Sequence, residues 1–228
     1  MNGTACVEPD LLIPSYAIMV FFLLGSIPIF YGFLMSLILP PRRYGRELWF
    51  WFIRGILTFI PAYLLFLLLR KIVPPVFTPL GIYGYYFYHD AFLFALLSVA
   101  GYVLISIYFP RSGDRSVGEV LSYLSGFFTC VAAADFVRHY GAFDLYLLFM
   151  LPVLRISTIL VFAILLPRAL DRRGEIPYHH IIAALLFLAL TAAVPLLSVI
   201  HFEWISILGD VVIAAGAGAF FWLNRDSV

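Results

Sequence analysis

Charge is what this sequence has least of. Only 12% of its 228 residues are Asp, Glu, Lys or Arg, about half the share of a soluble domain, while 64% are hydrophobic against a usual figure of about 45–50%. A water-soluble core cannot absorb that surface, and with a mean hydropathy of +1.02 the chain reads as a polytopic membrane protein. There is no excess of either sign: fourteen Lys and Arg against thirteen Asp and Glu leave a formal net charge of +1. That balance excludes the electrostatic footprint of a nucleic-acid binder. Lysine occurs once, as Lys71. The two cysteines, Cys6 and Cys130, are too far apart in sequence and expected depth for a disulfide framework or a cysteine-rich zinc site. Long polar loops are missing as well. Pro167 to Pro177, about eleven residues, gives no room for an ATPase, a kinase or another soluble output domain between the apolar runs.

Those runs are what the sequence does have. A spanning helix needs about 20 largely apolar residues, and seven stretches qualify: 11–39, 49–73, 86–109, 118–138, 144–166, 178–200 and 203–223. The expected fold is all-α, one transmembrane domain over 1–228, a seven-helix bundle with proline bends at Pro28, Pro61, Pro152 and Pro195. The last two stretches nearly touch, so a single re-entrant element is the alternative there. Positive charge stays on the cytoplasmic side. Arg42, Arg43, Arg46, Arg111, Arg115, Arg168, Arg172, Arg173 and Arg225, nine of the fourteen basic residues, fall in the first, third and fifth loops and the tail. The amino terminus is therefore expected outside and the carboxyl terminus inside. Tyr83, Tyr85, Tyr86, Tyr88 and Trp204 then mark an outer aromatic belt, with Trp49, Trp51, Tyr178 and Trp222 marking the inner one. Acidic Glu8 and Asp10, where a signal peptide carries basic residues, point to a retained first span. The Pro–Arg exits of three spans (Pro40–Arg43, Pro110–Arg111, Pro167–Arg168) are helix stop and cytoplasmic anchor, not duplication.

An ionisable side chain in hydrocarbon is costly unless paired or wetted, so embedded charges are the informative ones. Arg54 is close enough to the inner boundary to snorkel. Arg155 is expected near mid-depth, beyond snorkelling reach, and the economical solution is a pair with Asp210 or Asp135. Asp135, Arg138 and His139 are spaced i, i+3, i+4 and share a helix face. His89 and Asp90 precede the third span, with Asp90 well placed as its N-cap, and His201 and Glu203 precede the seventh. Nearly every embedded charge thus lies in the outer half, which predicts an outward-facing, mixed-charge vestibule of ligand-binding residues: Asp135, Arg138, His139, Arg155, Asp210, Glu203, His89 and Asp90. If a metal is bound, His89, Asp135, His139 and Glu203 are its ligand types. No motif specifies a cofactor or a catalytic residue. The small residues Ala214, Ala215, Ala217, Gly218 and Ala219 predict close helix contact by the seventh span.

Several seven-span classes are excluded by what is missing. A retinal protein needs a lysine in its last span, and Lys71 ends the second. Neither GxSG, as in rhomboid-like proteases, nor the paired HxxxH of alkaline ceramidase-like hydrolases is present. The run Gly25, Ser26, Ile27, Pro28 resembles the first span of bacterial glycerol-phosphate acyltransferases, but Pro40 to Glu47 stands where their glycine-rich phosphate loop belongs, and no family is assigned. The expected function is binding or transport of a small polar or anionic ligand. The alternatives are an enzyme acting on a lipid-linked substrate at the outer interface and a structural subunit among partner membrane chains. The expected location is a bacterial plasma membrane, with the lipid bilayer as the principal partner.

Overall fold

The computed structural model describes residues 45–74, 77–108, 116–138, 150–171, 178–199 and 203–224; the expected first span, 11–39, lies outside them. The described residues form α1 (Gly45–Leu69), α2 (Pro79–Tyr86), a π-helical segment π1 (Phe87–Phe92), α3 (Leu93–Tyr108), α4 (Val117–Arg138), α5 (Leu151–Asp171), α6 (Tyr178–Val199) and α7 (Glu203–Asn224). Because α2, π1 and α3 are continuous, six helical rods among the described residues are long and apolar enough to cross a membrane, and the chain is an integral membrane protein. Helices α6 and α7 are separate elements, each long and apolar enough to cross a membrane.

Several boundaries differ from the sequence reading, and α1 covers Gly45–Leu69 where 49–73 was expected. The rod containing α3 starts at Pro79, seven residues before Tyr86, because Thr78 caps it: the Thr78 hydroxyl oxygen accepts the Gly81 N–H at 3.1 Å, with Pro79 in the first turn. Asp90 is therefore not an N-cap but lies within π1. At its other end α5 runs through Pro167 to Asp171 instead of stopping at Leu166. Pro61 and Pro195 likewise lie inside α1 and α6.

The least apolar rod is the most enclosed. Helix α4 has a mean hydropathy of 1.4 and 72% of its span buried, whereas α6, at 2.3, is only 28% buried. Lipid is as apolar as leucine, so interior helices are selected for close fit, not for hydropathy. Small residues on α4 provide that fit. A Cβ on Gly126 would collide with the Phe52 carbonyl oxygen, and one on Gly55 with that of Tyr123; α1 and α4 thus cross backbone to backbone. The hydroxyls of Ser122 and Thr129 bond to carbonyls one turn back, at 2.7 Å each, which satisfies them inside the bundle. Around the crossing runs a ladder of rings from Trp51 through Tyr102, Tyr123, Phe127, Phe59, Tyr63 and Phe66 to Phe94, with neighbouring centroids 4.5–6.5 Å apart.

Helices α5 and α7 are parallel. Ser206 lies 3.5 Å from the Met150 sulfur at one end, and at the other Arg168 donates twice to the Asn224 side-chain oxygen at 3.1 Å. Both pairs are 56 residues apart, so the register is constant along the seam. Helix α6 runs back alongside and packs against both. The predicted small-residue contact of α7 does not form as expected: Ala217 is buried, but Ala215 and Ala219 are exposed, and nothing lies near a Cβ placed on Gly216 or Gly218. The stripe is wider than the strip that α5 and α6 cover.

Candidate functional site

The polar site is built on Arg155, on the second turn of the described α5. Its residue is 7% exposed. Its guanidinium reaches Asp135, the last residue of the apolar part of α4. One terminal nitrogen donates to the Asp135 carboxylate at 3.4 Å, and the other donates to the backbone carbonyl of Asp90. The guanidinium carbon lies 4.8 Å from the Phe94 ring centre and 5.8 Å from that of Phe128, a placement that suits a weakly hydrated, planar cation. The partner in the ion pair is thus Asp135 and not Asp210. Two of the arginine's donor groups are engaged, while its buried Nε–H has no hydrogen-bond partner.

The local fold explains this geometry. Segment π1 contains one residue more per turn than an α-helix, and the Leu93 N–H reaches back five residues to the Tyr88 carbonyl; such insertions cluster at functional positions. The segment is anchored to the end of α1, where the Tyr88 hydroxyl donates to the Leu69 carbonyl at 3.2 Å and His89 Nε2 donates to that of Val73 at 2.9 Å. The His89 ring also packs 4.2 Å from Tyr85. Helix α2 is fastened to α6 by the Tyr83 hydroxyl, which donates to the Ala189 carbonyl at 2.9 Å. With π1 held on both sides, the Asp90 carbonyl is turned toward α5.

Beside Arg155 a small, partly open pocket lies between π1, α5 and α6, bounded by Tyr86, Asp90, Leu154, Thr158, Thr191 and Pro195, among others. Its free space of about 20 Å³ admits one water-sized group. Thr158 and Thr191 donate to the carbonyls of Leu154 and Leu188, both at 2.8 Å, so toward the pocket their oxygens are acceptors. Pro195 has no N–H, which leaves the Thr191 carbonyl without its helical donor. The wall therefore combines one cationic donor with several neutral acceptors and the acidic residue Asp90.

The structure brings together Arg155, Asp135 and Asp90 from the expected vestibule. His89 is buried next to them but serves the end of α1. Asp210 is buried on α7 and forms no ion pair among the described residues. Arg138 ends α4 and Glu203 begins α7; their side chains, and the whole of His139 and His201, lie outside the described set. Among the described residues no three His, Cys, Asp or Glu side chains are grouped to hold a metal. Sequence reasoning missed Phe94, Phe128, Thr158 and Thr191. Phe94 lies one turn after Asp90, and Thr191 one turn before Pro195, and those spacings were the available signals. No family model matches the chain, and no curated protein or solved structure is similar to it.

Proposed function

We propose that the chain is a binding or transport module for a small polar or anionic ligand that presents an acceptor oxygen to Arg155. The observation that carries this reading is a nine-tenths-buried arginine whose Nε–H has no hydrogen-bond partner and which lines a pocket sized for one small polar group. Asp135 already neutralises the arginine, so a carboxylate or phosphate oxygen would compete with it for the cation. That exchange is a means of linking occupancy to the contact between α4 and α5. The rest of the ligand would extend through the open side, past Tyr86 and Asp90.

The reading includes a seven-span topology with 11–39 as the first span, the amino terminus outside and the Arg155 end facing outward, in a bacterial plasma membrane. It is supported by the nine arginines in the first, third and fifth loops and the tail. No observation favours the metal-dependent or subunit alternatives over it.

The test is unfolding of the purified protein in lipid bicelles with acetate, phosphate and free amino acids as probes. A probe at 100 times its dissociation constant stabilises by about 2.7 kcal/mol. The expected outcome is stabilisation by at least one probe, abolished in the double variant Arg155→Met, Asp135→Leu, which removes both charges and so avoids a stranded one. Undiminished stabilisation of a folded double variant overturns the reading, and so does the lack of any stabilising probe.

A further inference from the structure

A second polar group is buried at the same level of the bundle, and the Arg155 pocket does not use it. Asp210 is 6% exposed and its Oδ1 has no hydrogen-bond partner. Ser206, Asp210, Ala217 and Phe221 are the buried positions of α7, with spacings of four and seven. The carboxyl therefore belongs to the stripe facing the bundle and not to the lipid face. The parallel register of 56 residues sets Asp210 level with Leu154, next in sequence to Arg155. Met150, Leu151, Leu154 and Val194, with Ile207 and Ile213 packed on them, make this level apolar. The Ser206 hydroxyl, one turn away, donates to the Val194 carbonyl at 2.8 Å.

Charged and titratable residues on the described elements around it are engaged elsewhere or lie at other positions along those elements. On α5, Arg155 is turned to Asp135 and the Asp90 carbonyl, and Arg168 holds Asn224 at the other end. Asp171 ends the same helix. On α6, His179 and His180 lie at the opposite end from Val194, and on α7 Glu203 lies two turns before Asp210. A bare carboxylate in hydrocarbon without a counter-ion is unfavourable. A metal ion would need several oxygen ligands, and this level of the seam is lined by aliphatic side chains. A proton needs no such set.

We infer that Asp210 is a proton-binding site. The carboxyl holds an exchangeable proton while α5, α6 and α7 are packed together. When the seam admits water the carboxyl O–H bond breaks, its electron pair stays on the carboxylate oxygen, and the proton passes to the water. A second, independent ligand, the proton, is thereby assigned to the seam between α5 and α7, on the α7 side of Leu154, and this inference does not rest on what the Arg155 pocket binds.

Infrared spectroscopy of the full chain in lipid vesicles tests it, with isotope-labelled aspartate to identify the bands. The expected result at neutral pH is a protonated-carboxyl C=O stretch that shifts in heavy water and is lost in Asp210→Asn. A wild-type spectrum without that band, or a band that Asp210→Asn leaves in place, overturns the inference. If Asp210→Asn does not assemble, wild-type vesicles treated with dicyclohexylcarbodiimide, which adds to protonated carboxyls in apolar surroundings, decide the matter by peptide mass spectrometry. An adduct on Asp210 is expected, and an unreacted Asp210 overturns the assignment.

Discussion

The α1–α4 crossing and the Arg155 end are equally buried but are held together by different means. At Gly55 and Gly126 the contact is backbone against backbone with aromatic rings packed around it, and a side chain has no space to enter. At Arg155 the contact depends on one ion pair, one backbone carbonyl and two ring faces, with a water-sized void alongside. The first kind of contact is lost only by separating the helices. The second is the contact that, in the proposed reading, exchanges Asp135 for a ligand of the same charge.

Breaking one half of the ion pair is expected to have the largest effect. Asp135→Leu leaves a buried, uncompensated guanidinium and should cost about 3–5 kcal/mol, while Arg155→Met added to it should recover most of the loss; unfolding midpoints of the two variants in bicelles check this. Gly126→Leu comes next, at about 3 kcal/mol, the upper part of the usual overpacking range, since backbone on the facing helix cannot yield as a side chain does. A midpoint close to wild type would show that the crossing is not close-packed. Tyr123→Phe removes the 2.9 Å hydrogen bond with Thr58 and should cost about 1 kcal/mol in the same assay. Ala219→Leu, on the uncovered face of α7, should change stability by less than about 0.5 kcal/mol. A large loss there would mean that the face is packed against something in the membrane, and would blur the distinction between covered and uncovered small residues.

Six of the spans were legible as apolar runs because membrane thickness sets a length that sequence displays directly. Their arrangement was not legible. Hydropathy ranks α6 above α4, the reverse of their burial, since a helix facing lipid and a helix facing protein are both apolar. The same ambiguity misplaced the small-residue contact: Ala and Gly on α7 were conspicuous in a row, whereas Gly55 and Gly126 are isolated in sequence and meet only in space. At the site, the need to neutralise Arg155 in hydrocarbon made an aspartate partner predictable, and Asp135 was one of two named. The Asp90 carbonyl was not predictable, because its direction depends on the additional residue in π1, and a π turn has no compositional signature here. The start of α2 was missed for a related reason: Thr78 and Pro79 lie within a stretch whose tyrosines read as an interface belt.

The constant separation of 56 residues between the facing positions of α5 and α7 also sets a timetable for assembly. When α5 leaves the ribosome, the helix that will hold Arg168 and cover the inner stripe of α5 has not been made. At about 5–20 residues per second, roughly 3–11 seconds pass before the corresponding part of α7 is synthesised. During that interval the unclasped edge of α5 must be tolerated by lipid or by the insertion machinery. The closing step of biogenesis is then the arrival of a single hairpin, α6 with α7, which completes the seam at both ends at once.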